Sequence, residues 1–362
     1  MNRSYPTRPR RVGHRPADRA SDDLPCRRQA DSGFIAGLLL VLLVSGLVVV
    51  ATYFYIQRWA QAPLPVAEQQ LIELATGQAF SSFAAELADS GIIDQPELWS
   101  WYARVTGQAR QVQAGEYLVA PGETPQSLLE RLCSGDVATY QVQLIEGWTV
   151  RQALGALRAH PVVVHTLESV DENTLLSVLG LPPGHAEGMF FPDTYHFEKG
   201  ASDADILRRA YAKLQQELAE GWESRAAGLP YASPYEALIV GSLVEKETGR
   251  DSDREVISQV FVTRLHKGMR LQTDPSVIYG VGEVFRGDLT RQHLRTDTPY
   301  NTYTRHGLPP SPIALVSSRS LQAAFHPAEG EYLYFVSRGD GSSQFSVSLE
   351  DHNEAVRRYQ LQ

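Results

Sequence analysis

The chain has 362 residues, of which 43 % are apolar and 21 % are charged, and this balance excludes a disordered or collagen-like protein. Its length suits two or three domains of about 100–200 residues each. Lysine and arginine total 33 against 42 aspartates and glutamates, and the resulting net charge of −9 argues against a nucleic-acid partner, whose phosphates require a cationic surface.

A charged tail precedes one long apolar run. Residues 1–33 contain eight arginines and four aspartates but hardly any apolar side chain, so we predict a solvated, disordered tail. Residues 34–56 then form a 23-residue run without a charged side chain. As a helix this run is about 34 Å long, which is enough to cross a hydrocarbon core of about 30 Å. We therefore predict a single transmembrane helix over 34–56.

The arginines that flank the run predict its orientation. Four of them lie within about 20 residues before it and only Arg58 follows at a similar distance. The N-terminus is then cytoplasmic and residues 57–362 lie outside the cytoplasmic (inner) membrane. A cleaved leader ending near Ala60 is the alternative, but the apolar region of such leaders is only about 7–15 residues long. On this topology the two cysteines, Cys26 and Cys133, lie on opposite sides of the membrane, and we predict two free thiols.

The external part is predicted as a stalk (57–65), a small unit (66–138) and a larger α+β domain (139–362). In the small unit, apolar residues at helical spacing predict helices near 80–87 and 98–103, and Thr124 before Pro125 predicts the start of another. In the larger domain we predict helices over 150–157 and 206–218, and an alternating segment over 141–145. A hairpin is expected near the C-terminus, with strands over 332–336 and 344–348. The fold class is therefore α+β.

One predicted helix contains the candidate catalytic residue. Ser233-Pro234 is a typical helix start, and the residues that follow are apolar on nearly every face, so this helix should be buried. It nevertheless ends in Glu245-Lys246-Glu247-Thr248. Glu247 falls on the stripe of Val240, Leu243 and Val244, whose apolar surroundings favour a neutral carboxyl suited to general acid catalysis. Glu245 points away, and either supports the acid or pairs with a nearby arginine.

The same stretch resembles the signature of the YceG-like (MltG) endolytic murein transglycosylases. The resemblance extends in order over most of residues 66–362 and is carried by LIEGWTV (144–150), GMFFPDTYHF (188–197), GSLVEKETGRDSDREVISQVFVTRLHKGMRLQTDPSVIYGVG (241–282), TPYNTYTRHGLPPSPI (298–313) and SLQAAFHP (320–327). GEYLVAPGETPQSLLERLCSGD (115–136) resembles the family's membrane-proximal LysM-like unit. Two positions depart from the pattern, since Ser311 and Val316-Ser317-Ser318 stand where relatives carry glycine.

The resemblance implies a lyase that cleaves the β-1,4 bond after N-acetylmuramic acid in peptidoglycan and leaves a 1,6-anhydro end. Glu247 matches the family's essential glutamate and would act first as acid and then as base, without metal or cofactor. Termination of nascent glycan strands and contact with cell-wall synthases are expectations of the same kind.

Seven further residues are predicted to contact the sugar. They combine amides, hydroxyls and ring faces, the groups that bind sugar hydroxyls and stack on pyranose rings. They are Gln272, Thr273, Asp274, Tyr300, Asn301, Thr302 and Tyr303. For residues 300–303 a turn held by Asn and Thr side chains is an equally good interpretation. The aromatic residues Phe190, Phe191, Tyr195 and Phe197 are better interpreted as core.

Three alternatives remain open. Ser242 and Lys246, four residues apart on one helical face, would suit a serine hydrolase. A water-using muramidase would need a second carboxylate, for which Asp274 is available. A non-catalytic scaffold would bind peptidoglycan through the LysM-like unit and would not need Glu247.

Overall fold

A computed structural model describes residues 29–360, and Cys26 and most of the predicted tail lie outside them. The described chain begins with the long helix α1 (Gln29–Ala60). Within it, Phe34–Ala60 is long and apolar enough to cross a membrane, and its most apolar window is fully exposed. The structure therefore contains the helix that the charge-free run predicted, extended by one turn at its end.

That last turn of α1 belongs to the first hydrophobic core. Trp59 and Ala60 are buried there, together with Leu64 and Val66 from the segment that follows. The indole of Trp59 donates a hydrogen bond to the side chain of Asp94 (3.0 Å). Residues 57–65, predicted as a stalk, are thus built into the core because their apolar side chains alternate with exposed ones.

The first core is completed by two strands and three helices. These are β1 (Gln70–Leu74), α2 (Phe80–Asp89), α3 (Pro96–Val105), β2 (Gly115–Val119) and α4 (Pro125–Ser134). The strands pair antiparallel, with Leu71 opposite Leu118. The three helices were predicted; β1 was not. At the start of α4, the Thr124 side chain accepts a hydrogen bond from the Ser127 amide, as the Thr-Pro pair indicated.

A second core lies between a strand pair and three helices. Its elements are β3 (Thr139–Gln143), α5 (Val150–Ala159), α6 (Glu172–Val178), β4 (Thr194–Glu198) and the first half of α7 (Asp203–Ser224). β3 pairs antiparallel with β4, which confirms the alternating segment as a strand. Three of the four aromatic residues at 190–197 are buried in this core and Phe191 is buried in the next, which confirms their interpretation as core.

The third core surrounds the predicted central helix. Its elements are the second half of α7, α8 (Pro234–Glu247), α9 (Asp251–His266), α10 (Asp274–Val281), α12 (Ser318–Phe325), β5 (Tyr334–Ser337) and β6 (Ser343–Ser346). The helices α11 (Arg291–Arg295) and α13 (Leu349–Tyr359) lie outside it. α8 packs against α7, α9, α10 and α12, so it is covered on all sides. β5 and β6 form the predicted hairpin. The described chain is therefore α+β, as predicted.

The first core is tied to the rest of the molecule by one polar cluster. The Lys199 ammonium contacts Glu73 (2.7 Å) on β1 and Glu116 (2.8 Å) on β2, and the Tyr140 hydroxyl donates to Glu116 (2.6 Å). Burial alone would raise the pKa of Glu116, but the hydrogen bonds from Lys199 and Tyr140 bring it below its usual range. The carboxylate therefore stays ionised at this junction.

Candidate active site

The residues at the two ends of helix α8 determine where it begins and where it stops, and so place Glu247 at the site. Ser233 caps the start, its hydroxyl accepting a hydrogen bond from the Glu236 amide, and Pro234 occupies the first turn. At the other end Thr248 leaves the helical conformation (φ −147°, ψ 139°), so Glu247 is the last helical residue. The helix thus carries a carboxyl from the interior to the point where the core opens.

The Glu247 side chain lies in a pocket that favours its neutral form. Burial raises its pKa to about 7, with the Asp274 carboxylate acting in the same direction. The Thr273 hydroxyl, which donates to Oε1 of Glu247, and the charge of Arg264 act in the opposite direction. Among the hydrogen bonds of the described residues none reaches Oε2. One oxygen is therefore held in place while the other is available to exchange a proton near neutral pH.

Glu245 has a different environment two residues earlier. Its side chain is only 5 % exposed and contacts the Arg254 guanidinium (3.3 Å). Its other oxygen accepts from the amide (3.0 Å) and the hydroxyl (2.5 Å) of Ser317, the N-cap of α12. Of the two roles left open by the sequence, the structure places Glu245 in an ion pair that joins α8 to α9 and α12. Ser317, one of the departures from the family pattern, donates both hydrogen bonds to the second carboxylate oxygen of Glu245.

Arg264 holds the segment that faces Glu247, and the sequence analysis did not identify it. Its guanidinium donates to the carbonyls of Leu271 (2.7 Å) and Leu333 (2.7 Å) and to the Gln272 side chain (3.4 Å). Gln272 has a φ of +50°, the only positive value among the non-glycine residues described. Arg264 falls on the buried stripe of Ile257, Val260 and Phe261, so a charged residue at core spacing was the available signal.

The predicted triplet 272–274 lies beside Glu247, as a turn into α10. Thr273 is buried and in contact with the carboxyl, as described above. Asp274 is exposed and accepts a hydrogen bond from the Tyr303 hydroxyl (2.6 Å). Burial and the bond to Asp274 raise the pKa of Tyr303, so its phenol stays protonated. These three residues and Tyr303 form a polar cluster on one side of Glu247.

The remaining predicted sugar contacts form hydrogen bonds within their own loop and to its neighbours. The Asn301 side chain is buried and donates to the carbonyls of His293, Leu294 and Thr296 (2.7–3.2 Å). Thr302 is also buried, and its hydroxyl accepts from the Thr273 amide (3.0 Å). Tyr300 pairs with the hydroxyl of Ser311, the other departure from the family pattern (2.6 Å). These contacts fit the interpretation of the segment as a side-chain-stabilised turn, and Thr302 holds the backbone of Thr273.

A cavity of about 750 Å³ opens on the other side of Glu247. One wall is the end of α8 and the loop after it, and the facing wall is formed by the segments that follow β3 and precede β4. Its lining residues are Gln143, Leu144, Ile145, Glu146, Gly147, Trp148, Gln152, Pro192, Asp193, Thr194, Glu245, Lys246, Glu247, Thr248, Gly249 and Arg254. Residues 272–274 and 300–303 are not among them. Glu247 therefore lies between a polar cluster and an open cavity.

The side chain of Ser242 is not arranged as a nucleophile. It is fully buried, donates to the carbonyl of Ile239 (2.7 Å) and accepts from the amide of Ile313 (3.1 Å). The ammonium of Lys246 instead contacts the carbonyl of Gly147 (3.1 Å). The serine-hydrolase alternative is therefore inconsistent with this structure.

Comparison with known proteins gives three results. The model of the YceG-like family matches residues 72–358. An endolytic murein transglycosylase of Bacillus subtilis (strain 168) is 29 % identical over 305 residues, which are 80 % of this chain and 84 % of that protein. Proteins of the same name from Streptococcus pneumoniae, strains D39 and R6, are 24 % identical over 345 residues, and the chain covers 62 % of their length. A crystal structure of a yceG-like protein from Listeria monocytogenes is 28 % identical, covers 79 % of this chain and has a TM-score of 0.49.

Proposed function

This chain belongs to the YceG-like family, and from that premise we propose that it is a membrane-anchored endolytic peptidoglycan lytic transglycosylase. The relatives that carry this name match four-fifths of the chain or more. The observation that carries the catalytic part is the environment of Glu247, whose pKa of about 7 lets one carboxyl give and take a proton at neutral pH.

In the proposed reaction, neutral Glu247 donates its proton to the glycosidic oxygen as the bond to C1 of the muramic acid breaks. The carboxylate that remains removes a proton from the C6 hydroxyl of the same sugar, and the C6 oxygen bonds to C1. The product is a 1,6-anhydro end, no water is consumed and Glu247 returns to its neutral form. The Thr273 hydrogen bond fixes Oε1 throughout, so Oε2 is the atom that transfers the proton.

We place the glycan strand in the 750 Å³ cavity beside Glu247. Trp148, half-buried on the facing wall, offers a ring face of the kind that stacks on a pyranose. Asp274 and Tyr303 then approach the scissile bond from the opposite side. Asn301 and Thr302 take part indirectly, because they hold the turn that carries Thr273.

The same proposal includes the setting of the enzyme. Helix α1 anchors the chain in the inner membrane with a cytoplasmic N-terminus and with residues 57–362 outside. The first core, with its order β1-α2-α3-β2, corresponds to the LysM-like unit over 66–138, and residues 139–362 form the catalytic domain. Cleavage near the membrane would end nascent strands beside the synthases that make them.

The decisive experiment compares full-length chains, purified in detergent, on uncrosslinked glycan. Glu247→Gln should lower the rate at least about 100-fold, because the amide cannot donate the proton. The matched control is Glu223→Gln, an exposed carboxyl on α7 that does not line the cavity, which should retain the wild-type rate. Normal cleavage by the Glu247→Gln variant would contradict the role proposed for Glu247, and absence of cleavage by the wild type would favour the scaffold alternative.

A water-using muramidase is the second candidate, and one observation favours it. Asp274 lies close enough for its charge to raise the pKa of Glu247, so two carboxyls share the site as such an enzyme requires. Mass spectrometry of the product ends distinguishes the two reactions. Anhydro ends lack the added water and support the lyase, whereas reducing ends indicate the hydrolase.

A further inference from the structure

The end of the membrane helix fixes the first core against the bilayer. Ile56, Trp59 and Ala60 are buried within that core. Just before them, the Tyr55 hydroxyl and the Gln95 side chain form a hydrogen bond (3.2 Å). Gln95 is the residue that precedes α3. The start of α3 is therefore held at the level where the apolar run of α1 ends.

The residues just before α3 are bound to the same end of α1 by a second contact. The indole of Trp59 donates a hydrogen bond to the side chain of Asp94 (3.0 Å), the residue before Gln95. Asp94 and Gln95 therefore contact successive turns of α1 at the end of its apolar run, and α3 begins at the level of the bilayer surface.

α3 has a buried apolar stripe and, beside it, a second stripe that is exposed over most of its length. Trp99, Tyr102 and Ala103 face inwards and are buried. On the second stripe Leu98 still packs against the core, whereas Trp101 is 49 % and Val105 is 65 % exposed. An exposed tryptophan beside an exposed valine, on a helix that begins at the level of the membrane surface, is typical of an interfacial helix.

We infer that α3 is a second membrane contact, in which Trp101 and Val105 enter the boundary between headgroups and acyl chains next to α1. The occupant of this face is the lipid bilayer, because the Tyr55–Gln95 hydrogen bond places the start of α3 beside the end of the exposed apolar part of α1. The exposed Arg104 on the same helix lies at the headgroup level, where it contacts lipid phosphates. The inference rests on α1 spanning the membrane, as proposed above, and does not depend on the reaction.

Site-directed fluorescence tests this contact in the full chain. Cys26→Ser and Cys133→Ser remove the native thiols, and Val105→Cys introduces one for an environment-sensitive fluorophore. The protein is reconstituted in vesicles of phosphatidylcholine and phosphatidylglycerol that carry a spin label on the upper part of the acyl chain. The matched control is Leu71→Cys, since Leu71 is 51 % exposed but lies on the outer face of β1, the face that carries the Glu73 contact to Lys199.

The fluorophore at 105 should be quenched by the spin-labelled lipid, and the one at 71 should not. Trp101→Ser, placed in the Val105→Cys chain, should reduce the quenching towards the control level because one of the two inserted side chains is lost. Protein that floats with the vesicles but shows no quenching at 105 overturns the inference, and the stripe is then a surface for a protein partner. Protein that does not float overturns the membrane anchor and this inference together.

Discussion

At the scale of single residues, the reaction that we propose depends on the neutral state of Glu247, which should therefore set the pH range of the enzyme. The first step uses the protonated carboxyl, and burial raises its pKa to about 7. We therefore expect the rate to be nearly constant below pH 7 and to fall about tenfold per unit above it. Initial rates between pH 5.5 and 9 would measure this, and a rate that does not fall above pH 7 would contradict the assignment.

The pH–rate profile of an Asp274 variant tests the same assignment. Its negative charge contributes to the raised pKa of Glu247, so Asp274→Asn should move the inflection of the profile to lower pH. A residue needed only for folding would lower the rate at all pH values and leave the inflection in place.

A second buried carboxyl should influence stability. Burial raises the pKa of Glu187 from 4.5 to about 7, against the hydrogen bonds from the Val150 and Gly188 amides and the Tyr279 hydroxyl. A raised folded-state pKa stabilises the protein below the unfolded value of 4.5, and this contribution is lost as pH rises through 7.

Glu187→Gln removes that dependence. The unfolding free energy of the wild type should fall between pH 5 and 8 by about 2–3 kcal/mol more than that of the variant. Chemical denaturation at the two pH values measures the difference. Equal decreases in the two proteins would show that Glu187 is already ionised in the folded state at pH 5.

The sequence predicted Glu247 but not the roles of its neighbours. A carboxyl at core spacing on a helix can be recognised from periodicity alone. The role of Asn301 depends on which backbone carbonyls lie near its side-chain amide. Only the folded loop brings the carbonyls of His293 and Thr296 close to that amide. Polar composition therefore indicated sugar contacts where the structure has side chains that hold a turn.

At the scale of elements, one glycine allows two helices to approach closely. A Cβ added at Gly221 on α7 would overlap the ring of Phe325 on α12, which is itself fully buried. Gly221→Ala should therefore lower the unfolding free energy by about 1–3 kcal/mol. The control is Gly155→Ala on α5. This position is exposed and no atom lies within 4 Å of the added Cβ, so the unfolding free energy should rise by up to about 1 kcal/mol.

Thermal or chemical denaturation of both glycine variants measures these opposite effects. A Gly221→Ala protein as stable as the wild type would mean that α12 can shift away from α7.

Helices with a cap and an apolar stripe were predictable, and β1 was not. α4 and α8 begin at a Thr-Pro or Ser-Pro pair, so local residues determine where they start. β1 has only five residues, with Ile72 and Leu74 facing the core, and its pairing partner β2 lies about 45 residues further on. Such a short strand is defined by its partner more than by its own sequence.

At the scale of the whole molecule, Lys199 should control how firmly the first core is attached to the rest of the chain. Lys199→Ala leaves the buried Glu116 carboxylate with Tyr140 alone and should make the segment around 138 easier to cleave by a protease. Lys199→Arg keeps the charge and should protect the junction. Equal proteolysis of the wild type and Lys199→Ala would show that other contacts hold the two parts together.

The burial of Trp59 and Ala60 determines where a soluble fragment of this protein can begin. A fragment that starts at residue 61 leaves an unfilled space where the indole and Ala60 pack, and also leaves Asp94 without its donor. Loss of one buried tryptophan alone costs about 3–5 kcal/mol, a large part of the stability of a small unit. Proteolytic shedding at that point would therefore release a protein whose first unit is weakened, and a recombinant fragment is better started before Ile56.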